Sequence, residues 1–135
     1  MQLPQDFVDS YSWPDVLDRR SEILPSPAVY ALLHSDEFGR LIGASRILYI
    51  GKTGELGGAS DRCRLRIYRY PNGNHANELR RRVELLTDVG IEVTLWWKYV
   101  HTREAASAEE ARLLSEYKLE HGELPPFNSK NERGL

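Results

Sequence analysis

Two short, largely apolar runs constrain the fold of this chain most strongly. The first covers residues 28–33 and the second covers residues 46–50, which end at Gly51. Each run has the length of a strand and is too short for an ordinary helix. Residues 35–43 between them are rich in Asp and Gly and predict a turn. The sequence therefore predicts an antiparallel hairpin with an enlarged loop.

Capping residues, breakers and apolar spacing predict the other elements. We expect helices at residues 13–20, 61–70, 75–88 and 107–121, and a third strand at residues 91–99. Gly122 is placed to end the last helix. This order predicts a mixed α/β fold with a small antiparallel sheet of about three strands flanked by helices. Residues 1–23 are predicted to be an N-terminal extension with a short helix, and residues 24–135 the main domain.

Length and composition narrow the class of protein. A chain of 135 residues suits one domain with a real core. Its single cysteine, Cys63, excludes an internal disulfide and a cysteine-rich zinc site. The longest apolar run, residues 28–33, is far too short for a membrane helix, and early acids and prolines do not fit a signal peptide. We therefore expect a soluble, cytoplasmic protein that does not associate with membranes.

The charges are unevenly distributed along the chain. The net charge is −2, but residues 46–82 hold nine basic residues against three acidic ones, a balance of +6. The rest of the chain has 9 basic and 17 acidic residues, a balance of −8. Such segregation predicts one positive face that could meet a polyanion, although a solvated helix face explains many arginine runs equally well.

A few polar residues occur where packing would favour apolar ones. Tyr30 and Tyr49 lie in the two hairpin strands, and Lys52 follows Gly51, where a missing side chain leaves the backbone open to a ligand. Glu110 precedes a pair of leucines at helical spacing, so it shares their buried face. A carboxylate placed there needs a partner or a metal. Taken singly, each residue also has an ordinary structural explanation.

Taken together, these residues resemble the GIY-YIG nuclease domain. The resemblance runs from about Leu24 to Asn128. Its parts are Ala28-Val29-Tyr30, Tyr49-Ile50-Gly51-Lys52-Thr53, an arginine-rich helix, Glu110 with its leucine pair, and the closing Pro-Pro-Phe-Asn ending at Asn128. Ala28 stands where the family has glycine.

The resemblance implies a site for phosphodiester hydrolysis. Tyr30 and Tyr49 match the tyrosines that act near the attacking water as general base. A phenol has a pKa of about 10, so a nearby cation such as Lys52 or the metal would have to lower it. Arg64 matches the arginine that holds the scissile phosphate, and Asn128 matches the asparagine that supports the site. Glu110 matches the sole protein ligand of one Mg²⁺ or Mn²⁺ ion.

Two of these assignments have competitors. Arg66 shares with Arg64 the family spacing to a following tyrosine, and Arg64 is preferred because it stands four residues after the expected cap Ser60. Glu109 and Glu116 compete with Glu110, which alone has the leucine pair at the family spacing. The residues expected to bind nucleic acid around the site are Arg62, Arg66, Arg69, His75, Arg80, Arg81 and Arg82.

These features predict an endonuclease that hydrolyses DNA in the presence of a divalent metal. We expect Tyr30, Tyr49, Arg64 and Glu110 to converge on one concave surface. A DNA-binding module with weak or no activity on the same fold is the first alternative, and a plain interaction domain is the second. No separate DNA-recognition domain fits in the few residues outside this one, so loops, a homo-oligomer or a partner protein would supply specificity.

Overall fold

The sheet and helices have the mixed α/β organisation expected from the sequence. The computed structural model describes residues 1–19, 22–54, 56 and 75–128. Within them the elements are β1 (Asp9–Ser12), α1 (Trp13–Arg19), β2 (Ala28–Gly39), β3 (Ala44–Thr53), α2 (His75–Asp88), β4 (Val93–Tyr99) and α3 (Arg103–His121). The strands form one antiparallel sheet in the order β1-β4-β2-β3. The mixed α/β class is therefore confirmed, and β3 is an edge strand.

The β2–β3 hairpin is confirmed, but it is longer than the apolar runs suggested. Residues 35–39, expected in a turn, continue β2, because Phe38 pairs with Ser45 and Gly39 pairs with Ala44. The turn is confined to residues 40–43, where Gly43 adopts a φ of 73°. At the other end, β3 continues through Gly51 to Thr53 instead of stopping at the glycine. Pairing between β2 and β3 therefore extends both strands beyond the apolar runs from which they were predicted.

The sheet has one strand more than expected. β1 pairs with β4, with Asp9 opposite Trp97 and Ser12 opposite Thr94. Its four residues are polar or half-exposed and show no apolar alternation, so the usual sequence signal of a strand is missing. β1 forms because β4 offers it a free edge.

The helices cover both faces of the sheet. Trp13 and Val16 of α1 and Leu79 and Val83 of α2 pack in one apolar cluster with the β2 residue Tyr30. The second cluster lies on the other face. It joins α3 to the sheet and contains Phe7, Val29, Ala31, Ile47, Ile50, Ala106, Leu113, Leu114 and Tyr117. The sheet therefore separates α3 from α1 and α2.

The last helix begins one turn earlier than expected. α3 starts at Arg103, and the Thr102 side chain accepts a hydrogen bond from the backbone N–H of Ala105 at 3.0 Å. Its end is as predicted: Gly122 has a φ of 76° and donates its N–H to the carbonyl of Lys118 at 2.8 Å. The helix expected at residues 61–70 lies outside the described residues. Helix α2 agrees with its prediction, and α1 agrees to within one residue.

Candidate functional site

The two motif tyrosines lie against Gly51 on the face covered by α1 and α2. Tyr30 pairs with Gly51 across the hairpin, and its ring centroid is 5.9 Å from that of Tyr49. A Cβ atom on residue 51 would lie 2.6 Å from both rings and 2.7 Å from the Tyr30 hydroxyl. Only glycine therefore fits between them. Both rings are deeply buried, with Tyr30 1% and Tyr49 3% exposed.

The C-terminal part of the described chain closes the outer edge of β3 beside these tyrosines. The Asn128 side chain accepts a hydrogen bond from the N–H of Ile50 at 3.0 Å and donates one to the carbonyl of the same residue at 2.9 Å. The Phe127 N–H donates to the carbonyl of Leu48 at 2.8 Å. Asn128 therefore satisfies backbone groups that an edge strand would otherwise expose. This position fits the supporting role expected for it.

Glu110 lies on α3, on the arc of the helix that faces the sheet. It follows Ala106 by four residues and precedes Leu114 by four, and both of these are buried against the sheet. Glu110 itself is half-buried. Ser107, one turn earlier on the same flank, contacts Lys52 of β3, so this flank borders the edge strand. Glu110 is therefore directed towards the β3 side of the helix.

The two competitors of Glu110, namely Glu109 and Glu116, form ion pairs with basic residues. Arg112 donates two hydrogen bonds to Glu109, at 2.6 and 2.8 Å, and Lys98 donates a third at 2.5 Å. The hydrogen bonds from Arg112, together with the one from Lys98, lower the pKa of Glu109 to about 2. Glu116 accepts a hydrogen bond from Arg112 at 2.6 Å. Both competitors are thus engaged in ion pairs with basic residues.

The Lys52 side chain bonds to α3, which packs on the opposite face of the sheet from the tyrosine cluster. Lys52 pairs with Val29, whose side chain packs on the α3 face, and its Nζ donates to Ser107 Oγ at 2.6 Å. Adjacent strand residues point to opposite faces, so Lys52 and its neighbour Gly51 face opposite ways. Lys52 is therefore placed to hold α3 against the sheet, and its catalytic role stays a prediction.

The expected convergence of Tyr30, Tyr49, Arg64 and Glu110 on one concave surface stays a prediction, because Arg64 lies outside the described residues. Tyr30 and Tyr49 belong to the cluster under α1 and α2, whereas α3, which carries Glu110, packs on the other face. Both groups border β3, since the tyrosines flank Gly51 and α3 contacts Lys52. A site that uses all three residues has to wrap around the end of this edge strand.

The three consecutive arginines of α2 differ in their surroundings. Arg80 is 5% exposed, donates to Glu84 at 3.0 Å and lies 6.0 Å from the Trp13 ring, which does not suit a phosphate contact. Arg81 is exposed, and the half-buried Arg82 lies 5.8 Å from the Phe127 ring. The other expected contacts, namely Arg62, Arg64, Arg66 and Arg69 and the side chain of His75, lie outside the described residues.

The metal ion that the resemblance implies would have one carboxylate as its protein ligand. Within the described ranges no three Asp, Glu, His or Cys side chains cluster as a metal cage. A single carboxylate such as that of Glu110 is typical of Mg²⁺, which keeps most of its waters and takes other oxygens from phosphate. Zinc and calcium generally need more protein ligands. The Mg²⁺ or Mn²⁺ ion that the resemblance implies at Glu110 stays a prediction.

Sequence reasoning missed one residue beside this site, Ser107. It was interpreted as the start of the last helix, but it lies inside α3 and accepts the Lys52 hydrogen bond. The sequence does contain an indication of this position. Ser107 stands among alanines one turn before Glu110, and small residues permit a helix to approach a sheet closely. Its partner Lys52 follows Gly51 directly in the motif.

Comparison with protein-family models, with curated proteins and with solved structures found no match to the chain. Among the helices in the described ranges, none is both long enough and apolar enough to cross a membrane. The case for a function therefore depends on the residues of this chain and their geometry.

Proposed function

We propose that this chain is a metal-dependent endonuclease of the GIY-YIG type that hydrolyses phosphodiester bonds in DNA. The observation that carries the proposal is the pair of tyrosines packed against Gly51, with ring centroids 5.9 Å apart, in a strand whose outer edge is closed by Asn128. A side chain at residue 51 would destroy this arrangement. The order of the motifs along the chain supports the same function.

In this mechanism the chain supplies a base, a phosphate ligand and a metal ligand. Tyr30 or Tyr49, as a phenolate, accepts a proton from the water that attacks the phosphorus and so becomes the neutral phenol. Arg64 is assigned to the negative charge that develops on the phosphate, for which a planar guanidinium is well suited. Glu110 holds Mg²⁺ or Mn²⁺, which when bound stabilises the leaving oxygen. Asn128 keeps the edge strand, and therefore Tyr49, in place.

A DNA-binding module with weak or no activity is the second candidate. The burial of Tyr30 and Tyr49 favours it, because a general base has to reach water. The packing of α3 on the opposite face from the tyrosines favours it as well. In either case specificity for a DNA sequence or structure would come from the loops of the domain, from a homo-oligomer or from a partner protein.

A divalent metal should cause cleavage of the DNA if the chain is an endonuclease. It should change only the affinity for DNA if the chain is a binding module. The experiment incubates the purified chain with linear, nicked, branched and single-stranded DNA, with Mg²⁺, with Mn²⁺ or with EDTA. For the endonuclease we expect metal-dependent products, lost in Glu110→Ala and retained in Glu116→Ala, the matched control on the same helix. Binding to DNA should survive in Glu110→Ala, because the change removes a negative charge.

Binding without cleavage on every DNA would select the binding module. Wild-type cleavage by Glu110→Ala would show that the metal is held elsewhere. Failure to bind any of the DNAs at low salt would contradict both candidates.

A further inference from the structure

Helix α3 is attached to the sheet at both of its flanks by a lysine. Between the flanks, Ala106, Leu113 and Tyr117 pack against the sheet and are almost fully buried. Apolar packing of this kind decides which face of the helix meets the sheet, and directional contacts can still adjust the rotation about the helix axis. The polar contacts at the flanks are directional and can set that rotation.

The first contact is on the β4 side. Lys98 Nζ donates to Glu109 at 2.5 Å and to Asp6 of the N-terminal segment at 2.8 Å. The lysine side chain is 16% exposed and that of Glu109 is 14% exposed, so solvent screens this pair less than a surface ion pair. The contact therefore fixes one flank of α3 against β4.

The second contact is on the β3 side. Lys52 Nζ donates to Ser107 Oγ at 2.6 Å. Close to it, the Arg103 side chain lies over Gly54, where a Cβ atom would clash with the guanidinium. The first two turns of α3 are thus held against the end of the strand that carries Tyr49 and Gly51. We call the Lys52–Ser107 and Lys98–Glu109 contacts together the α3 clamp.

Glu110 lies between the two contacts of the α3 clamp. At about 100° per residue, Glu110 is about 60° from Ser107 and about 100° from Glu109 around the helix axis. Around the same axis, Glu110 is about 40° from Ala106, and Ala106 faces the sheet. A rotation of α3 that released Ser107 would swing Glu110 away from β3 or into the sheet.

We propose that Ser107 is a positioning residue that, through Lys52, keeps Glu110 directed at the end of β3 for metal binding. This inference rests on the proposed endonuclease function. A carboxylate that is the only protein ligand of an ion has no second protein ligand to orient the ion, so the placement of the helix that carries the carboxylate matters for metal binding. Groups that orient a ligand often change metal affinity when they are removed.

The test compares Ser107→Ala, Ser107→Thr and Ser115→Ala in the full chain. Alanine favours a helix more than serine, which offsets part of the lost hydrogen bond, so Ser107→Ala should fold with nearly the wild-type melting temperature. Threonine keeps the hydroxyl acceptor. Ser115 is exposed on the same helix and is the matched control.

Two measurements report on the metal: the Mg²⁺ concentration for half-maximal cleavage, and Mn²⁺ binding to the protein alone by electron paramagnetic resonance. For Ser107→Ala we expect both to weaken by about tenfold, with the rate largely restored at saturating Mg²⁺. Ser107→Thr and Ser115→Ala should behave as wild type. Hydrogen exchange of the amides of residues 107–110 should be faster in Ser107→Ala only.

The possible failures are distinguishable. If the wild type cleaves and Ser107→Ala keeps its metal dependence, the inference is overturned and the proposed function stands. If the wild type neither cleaves DNA nor binds Mn²⁺, the proposed function is overturned and the positioning role with it. Equal losses in Ser107→Thr and Ser107→Ala would also overturn the inference, because the hydroxyl would then not be the group that acts.

Discussion

Asn128 forms two hydrogen bonds with the backbone of Ile50, one to each of its peptide groups in β3. Its Oδ1 accepts from the N–H at 3.0 Å and its Nδ2 donates to the carbonyl at 2.9 Å. The asparagine is 7% exposed, so neither backbone group has ready access to water. A single side chain, distant in sequence, thus completes the edge strand between Tyr49 and Gly51.

Replacing Asn128 with aspartate should destabilise the fold in a pH-dependent way. The charged carboxylate can accept from the Ile50 N–H but repels the Ile50 carbonyl, so we expect a loss of about 1–3 kcal/mol at pH 7. Protonation restores a donor. Folding should therefore raise the pKa of the new carboxyl, and the deficit should shrink as the pH falls towards 4. Urea unfolding of variant and wild type at both pH values measures this, and a pH-independent deficit would contradict it.

Adding a methyl group at Gly51 should disrupt the tyrosine pair. In Gly51→Ala the new Cβ would lie 2.6 Å from the rings of Tyr30 and Tyr49, and we expect a loss of about 1–3 kcal/mol from overpacking. Gly39→Ala, also in the hairpin, is the matched control, because nothing lies within 4 Å of its new Cβ. Thermal unfolding compares the two. Equal melting temperatures would show that the tyrosines move aside without cost.

Removing the hydroxyl groups of the tyrosines should affect rate more than stability. Tyr30→Phe and Tyr49→Phe keep the rings that pack against Gly51. For whichever hydroxyl acts as the base we expect a fall of about 10²–10⁴ in cleavage rate, the usual contribution of a positioned acid or base. Single-turnover cleavage at saturating Mg²⁺ measures it. If neither variant is slowed, the base is another group.

Ionisation of Glu109 should make the free energy of unfolding depend on pH in the acid range. Its pKa lies well below the ordinary 4.5, at about 2, because of hydrogen bonds from Arg112 and then from Lys98. The stabilisation it provides is complete above about pH 4.5 and is lost as the pH falls towards 2. Glu109→Gln should lose about 1–2 kcal/mol at pH 7 and show a flatter acid profile. Glu116→Gln, whose side chain is 50% exposed, should lose little. Matching acid profiles for Glu109→Gln and the wild type would contradict this assignment.

The consecutive arginines of α2 should separate into one structural and two DNA-binding residues. Arg80→Ala should lower the melting temperature, because it removes a buried guanidinium bonded to Glu84. Arg81→Ala and Arg82→Ala should weaken DNA binding similarly for all sequences, and each should reduce the salt slope by about 1. Titrations at several salt concentrations measure these slopes. A structural role for Arg80 is contradicted if Arg80→Ala leaves the melting temperature unchanged and reduces the salt dependence of DNA binding as much as Arg81→Ala does.

The sequence by itself determined the features that depend on neighbouring residues. The β2–β3 hairpin follows from two short apolar runs around a polar stretch, and the end of α3 follows from Gly122, whose φ of 76° suits glycine. The packing of Tyr30 and Tyr49 around Gly51 was not predicted as such. It does follow from alternation along paired strands, because residues two apart share a face.

Only the tertiary structure decided the features that depend on distant pairing. β1 forms because β4 offers a free edge, and residues 35–39 join β2 because β3 pairs with them. The burial of Arg80 depends on the approach of α1, which brings Trp13 beneath it. Whether α3 covers the same face as the tyrosines depends on how the chain crosses the sheet after β4. No local pattern specifies that crossing, since apolar packing is non-directional and either face could bury the same stripe of residues.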